Sequence, residues 1–148
     1  MSLITQIDAD IKTAMLAKQE VALRSLRAVK AALLLAKTSG SGELTTDDEV
    51  KLLQKLVKQR KESVEIYKTQ EREDLAKAEL DEIAVIEKYL PQQLSEAEIK
   101  TQLQQLIAQV GATSAADLGK VMGAASKHFA GKADNKTVSV LVKQLLGA

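Results

Sequence analysis

A chain of 148 residues with a formal net charge of +1 and 45% hydrophobic residues is long enough to close a core, and too evenly charged to demand nucleic acid on charge alone. Cysteine is absent and histidine occurs once, which excludes disulfide frameworks, thiolate nucleophiles and four-ligand zinc sites. No apolar run approaches the roughly 18 residues that span a bilayer, and Met1-Ser2-Leu3-Ile4-Thr5 lacks a basic region followed by an apolar stretch, so a soluble cytoplasmic protein with no membrane partner is expected.

Ala, Leu, Lys, Gln and Glu dominate, proline occurs once, and aromatic residues reach 2% (Tyr67, Tyr89 and Phe129). These are helix formers, and strand formers are sparse, so the fold class expected is all-α. Ile4, Ile7, Ile11 and Met15 recur at helical spacing and define a first amphipathic helix ending near Lys18. A second runs from about Glu20 to Lys37 on Ala22, Leu26, Val29, Leu33 and Ala36, and Thr38-Ser39-Gly40-Ser41-Gly42 then breaks it. The third starts at Thr45 or Thr46, where a hydroxyl caps free amides and Asp47, Asp48 and Glu49 favour the positive end of the helix dipole. Its apolar seam is Val50, Leu53, Val57, Val64 and Tyr67. The fourth, about Arg72 to Leu90, carries Ala76, Leu80, Ile83 and Leu90 and stops at Pro91, which can neither donate a helical hydrogen bond nor clear the preceding turn.

Beyond Pro91 the pattern restarts. Ser95-Glu96-Ala97-Glu98 is a capping box, and the helix it opens buries Ile99, Leu103, Leu106 and Val110 before Gly111 ends it. Ser114 and Asp117 open a further helix with Leu118, Val121, Met122, Ala125 and Phe129, and Asp134 caps the last, whose apolar face is Val138, Leu141, Val142 and Leu145. A bundle of about four helices over residues 1–91 and a tail of three over 92–148 are therefore expected. Residues 1–91 carry 15 Lys and Arg against 16 Asp and Glu, and residues 92–148 carry 6 against 4, so neither part is strongly basic.

Candidate chemistry is thin. His128, beside Lys127 in the last turn of a helix, suits the negative end of the dipole better than catalysis. Acidic pairs such as Asp47-Asp48 and Asp81-Glu82 read as solvated charge, and Gly40 and Gly42 are not followed by the Gly-Lys-Ser/Thr of a phosphate-cradling loop. Three features remain. Arg60 interrupts the apolar seam of the third helix and needs either a carboxylate, with Asp81, Glu82 and Glu20 as candidates, or an outlet to solvent or a ligand. Arg24, Arg27 and Lys30 on the second helix, and Lys51, Lys55 and Lys58 on the third, form cationic stripes that either track phosphates or are solvated charge. Gly119 and Gly123 stand four apart in one helix at a cost of about 1 kcal/mol each relative to alanine, so another helix or a ligand backbone must come close, helix packing being the simpler account.

Arg60-Lys61-Glu62-Ser63, Tyr89-Leu90-Pro91-Gln92-Gln93-Leu94-Ser95, Asp117-Leu118-Gly119-Lys120-Val121-Met122-Gly123 and Gly131-Lys132-Ala133-Asp134 occur in the order and spacing of the GatB/YqeY family. Over essentially its whole length the chain resembles a free-standing YqeY-like protein. That family resembles the C-terminal tail of the B subunit of the glutamine-dependent amidotransferase that converts misacylated Glu-tRNA or Asp-tRNA to Gln-tRNA or Asn-tRNA. In the large enzyme the tail grips the tRNA body while activation and ammonia release occur elsewhere. The resemblance implies a non-catalytic tRNA-binding accessory, linked to a carbon–nitrogen ligase that uses glutamine as amido donor, with no activity alone, no cofactor and no metal. Its partners would be tRNA and an amidotransferase or another protein. Under this reading Gly119, Lys120, Gly123, Lys127, Lys132 and Lys136 are the candidate RNA-binding residues. Scarce aromatics point to recognition by shape and phosphate contact and not by base stacking. A helical adaptor that accepts a partner helix and binds no RNA is the alternative.

Overall fold

Helix-favouring composition and period decide the architecture. The computed structural model describes residues 2–40 and 42–147; Ser41, inside the expected break after the second helix, and Met1 lie outside them. Seven α-helices and one 3-10 turn make up the secondary structure of the described residues, with no strand, so the fold is all-α. The chain divides into two compact units, Met1–Pro91 and Gln92–Ala148.

The first unit holds α1 (Leu3–Leu16), α2 (Glu20–Ser39), α3 (Thr46–Thr69) and α4 (Glu73–Glu87). Thr45 and Asp48 cap α3 reciprocally: the Asp48 amide donates to the Thr45 hydroxyl at 3.1 Å, and the Thr45 amide donates to the Asp48 carboxylate at 3.0 Å. Helix α2 runs through Thr38 and Ser39, residues that read as helix breakers, because both hydroxyls donate back to the Leu35 carbonyl, at 3.1 and 2.7 Å, and so satisfy the last turn locally. Helix α4 ends at Glu87, earlier than the expected Leu90. The Tyr89 and Leu90 amides tighten onto the carbonyls of Ile86 and Glu87, and the proline that follows disfavours helical backbone at the residue before it. Tyr89 then donates its hydroxyl to the Asp10 carboxylate of α1; burial, reinforced by this bond, pushes the phenol well above its usual range.

Helix α1 packs on α2, α3 packs on α4, and α2 lies against α4. Their apolar stripes meet in a core that includes Ile7, Val29, Leu33, Leu53 and Ile86, each at most 2% exposed. Arg60 enters the edge of this core from α3. Its Nε donates to Glu82 Oε2 at 3.3 Å and its Nη1 to the Leu56 carbonyl at 3.1 Å, while Arg24 Nε of α2 donates to the other Glu82 oxygen at 3.3 Å. One α4 carboxylate thus ties three helices together.

The second unit holds α5 (Glu96–Val110), a 3-10 turn (Ala115–Asp117), α6 (Leu118–His128) and α7 (Asn135–Leu146). Ser95 and Glu98 form the capping box of α5, and Gly111 closes it in left-handed conformation, φ 70°. Phe129 is fully buried among Leu103, Val121, Ala125, Val138 and Val142. Its ring meets the edge of His128 at 4.7 Å between centroids, and His128 Nε2 lies 2.9 Å from the Gln102 side-chain oxygen on α5.

The side chains of Arg60 and Glu82 are 16% and 14% exposed, whereas that of Arg24 is 55% exposed. Breaking a fully buried pair costs about 3–5 kcal/mol and exposed pairs contribute about 1 kcal/mol at most, so Glu82→Ala should destabilise the first unit by about 2–3 kcal/mol and Arg24→Ala by about 1 or less. Both tyrosines lie in this unit, so denaturation followed by tyrosine fluorescence isolates it. Equal losses for the two variants would disprove the anchoring role of Glu82.

Candidate functional site

Helix α6 decides where the candidate residues lie. Leu118, Val121, Met122 and Ala125 turn toward the core of the second unit, Val121 and Ala125 with no exposure at all. At about 100° per residue the opposite side of the helix carries Lys120, Gly123 and Lys127 within an arc of about 60°, with Gly119 about 40° further round. All four are exposed.

A β-carbon built on Gly119 or Gly123 would meet no atom within 4 Å among the described residues. Packing of another helix of this unit is therefore not what these glycines serve. The physical reason lies in phase: the residues that pack are one step around the wheel, and the glycines are carried outward. Their helix cost is left uncompensated by any contact in the described structure, and the face they leave is smooth.

Around this face the backbone is held firmly. The Asp117 carboxylate accepts from the amides of Thr113 at 2.9 Å and Ser114 at 3.3 Å; those bonds, with Lys120 adding attraction, hold it below the usual carboxylate range. After α6, Gly131 takes left-handed φ 75°, its carbonyl accepting from the Gln93 side chain at 2.8 Å, and the Lys132 carbonyl accepts from the Leu94 amide at 2.9 Å. The Gly131-Lys132-Ala133-Asp134 turn is thereby fastened to Gln93-Leu94. Asp117 was legible as the partner of Ser114 at the start of α6, but the hold of Gln93 on the turn was not, because a side-chain-to-backbone bond between segments distant in the chain leaves no periodic trace.

Lys132 projects from that fixed turn and is exposed. Lys120 and Lys127 share the α6 face, about 10 Å apart along the axis at 1.5 Å per residue. Lys136 belongs elsewhere: it stands in the first turn of α7, where it borders a shallow groove with Glu96, Thr137 and Val140. None of these four lysines makes an ion pair among the described residues.

The stripes of the first unit differ in kind. On α2, Arg24 pairs with Glu82 and Lys30 with Asp8 at 2.6 Å, while Arg27 is exposed. On α3, Lys51, Lys55 and Lys58 are all exposed. Among the described residues no group of three or more His, Asp or Glu is placed to hold a metal ion, and no helix is long and apolar enough to cross a membrane.

Fold and surface together define an all-helical protein of two small units. The chain belongs to the Yqey-like protein family, which it matches over residues 4–146. It is 31% identical over 153 residues to Altered inheritance of mitochondria protein 41, mitochondrial, of Pyrenophora tritici-repentis, with 98% of this chain and 81% of that protein covered. Proteins of the same name from Meyerozyma guilliermondii and Clavispora lusitaniae are 37% and 31% identical, covering 72% and 77% of this chain. The chain spans 57% of the Meyerozyma protein and 68% of the Clavispora one.

All three relatives are named as mitochondrial, which overturns the expectation of a plainly cytoplasmic protein. That expectation rested on the lack of a membrane-spanning run and of a basic region followed by an apolar stretch, and neither distinguishes the cytoplasm from the mitochondrion.

Because the glycine face is open, Gly123→Ala should stabilise the second unit by about 1 kcal/mol, and Gly119→Ala, in the first turn, by less. Denaturant unfolding followed by far-ultraviolet circular dichroism measures this. Destabilisation by either alanine would mean that a neighbour does press on the face.

Proposed function

We propose that this protein is a non-catalytic tRNA-binding accessory related to glutamine-dependent tRNA amidotransferase, and that its second unit carries the RNA-binding surface. The observation that carries this reading is the outward face of α6, where Gly119 and Gly123 leave the helix bare and Lys120 and Lys127 stand beside them without ion-pair partners. A sugar–phosphate backbone can approach a helix closely where side chains are missing, and ammonium groups on either flank neutralise its phosphates. Lys132, on a turn fixed at both its amide and its carbonyl, extends the charged surface with little conformational freedom to lose. Membership of the Yqey-like family supports the link to tRNA amidation through the resemblance of that family to the amidotransferase tail. Lys136 takes a peripheral part, as it stands on α7 beside Glu96.

Each lysine–phosphate contact adds roughly 0.7–0.9 to the slope of log affinity against log salt. In tRNA titrations at several salt concentrations, the double variant Lys120→Gln, Lys132→Gln should lose about one to two units of slope while the second unit stays folded. Wild-type binding no tighter than that of a neutral helical protein of similar size, or an unchanged slope in the double variant, would remove the RNA reading. The adaptor would then lead, with Leu34 and Leu35, 43% and 68% exposed on α2, as the place for a partner helix.

A further inference from the structure

Two guanidinium groups of the first unit converge on the single carboxylate of Glu82. Arg60 needs one carboxylate to enter the edge of the core, and Glu82 supplies it. Arg24 is bound to the same carboxylate from a different helix, so two guanidinium groups share one negative charge and one unit of positive charge is left over. Both arginines meet Glu82 through Nε, one at each oxygen, at 3.3 Å. Among the described residues neither Nη group of Arg24 and only Nη1 of Arg60, toward the Leu56 carbonyl, makes a hydrogen bond.

We propose that Arg24 and Arg60 form a phosphate-binding site on the first unit, with Glu82 as the residue that positions both. A phosphate group has at least two unesterified oxygens; Arg24 offers one of them the fork of its two Nη groups, and Arg60 offers the other its remaining Nη2 donor. Arg60 is pre-ordered by its two bonds and largely out of solvent, so little rotamer entropy remains to be lost on its side of the site. Arg24, more exposed, supplies access. Arg27, one turn along α2 and exposed, adds charge at the rim. The ligand is a phosphate group, either a phosphodiester of a nucleic acid backbone or a terminal phosphomonoester. This site stands on Arg24, Arg60 and Glu82 and does not depend on the RNA reading of α6.

The test is nitrogen-15 NMR of the full chain, following the Arg Nε–Hε resonances while inorganic phosphate replaces chloride at constant ionic strength. Saturable shifts confined to Arg24 and Arg60 are expected. Arg24→Gln should weaken the midpoint about tenfold or more, as loss of a charge-assisted contact does, and Arg24→Lys should lose most of the same affinity because it keeps the charge and gives up the fork. A nucleoside monophosphate and a short oligonucleotide without terminal phosphate then separate the two sources: whichever saturates at lower concentration identifies the ester class. Shifts that stay linear with phosphate, or that appear equally at the exposed Arg72, would overturn the site, as would an unchanged midpoint in Arg24→Lys.

Discussion

Arg60 stands where the period of α3 calls for an apolar side chain, and a guanidinium in that position forces the arrangement of the first unit. Its charge must be met within a few ångströms or reach water, and Glu82 meets it from α4. Because the same carboxylate also receives Arg24, the contact fixes α2, α3 and α4 in register at the edge of one core. Apolar packing alone tolerates sliding of helices by small amounts; a carboxylate held at each oxygen does not. The Tyr89 bond to Asp10 does the corresponding work for α1, from the segment that leads into Pro91.

The second unit is organised by a different constraint, the phase of α6. Four inward apolar residues and a buried Phe129 set its rotation, which leaves Gly119 and Gly123 facing out. Glycine in an exposed helix position destabilises that helix by close to 1 kcal/mol without any gain in folding, a pattern expected where a surface serves contact with something else. Meanwhile the turn that carries Lys132 is bound to Gln93-Leu94, so segments far apart in the chain become neighbours around the charged surface.

Much of the fold was legible because the signals are local. Thr45, Ser95 and Gly111 mark helix ends through chemistry that involves only residues three or four away. The all-helical class follows from composition and period in the same way. What escaped was set by distance or by hydroxyl geometry: Thr38 and Ser39 extend α2 by bonding backward, and α4 stops at Glu87, where the Tyr89 and Leu90 amides tighten the chain ahead of Pro91. Among the candidate residues, the outward direction of the glycines was contained in the inward phase of Val121 and Ala125. The fate of the α2 stripe was not, since Asp8 and Glu82 reach Lys30 and Arg24 from other helices. Compartment was illegible for a further reason: folding within a helical core is indifferent to it, as the mitochondrial names of the relatives make plain.

The central claim is that the α6 face binds tRNA. Ultraviolet crosslinking in cells tests it most directly, with the captured RNA sequenced and the crosslinked peptide mapped by mass spectrometry. The account predicts tRNA as the enriched RNA and crosslinks within residues 119–132. Recovery of no RNA above background, or crosslinks confined to α2 and α3, would contradict it.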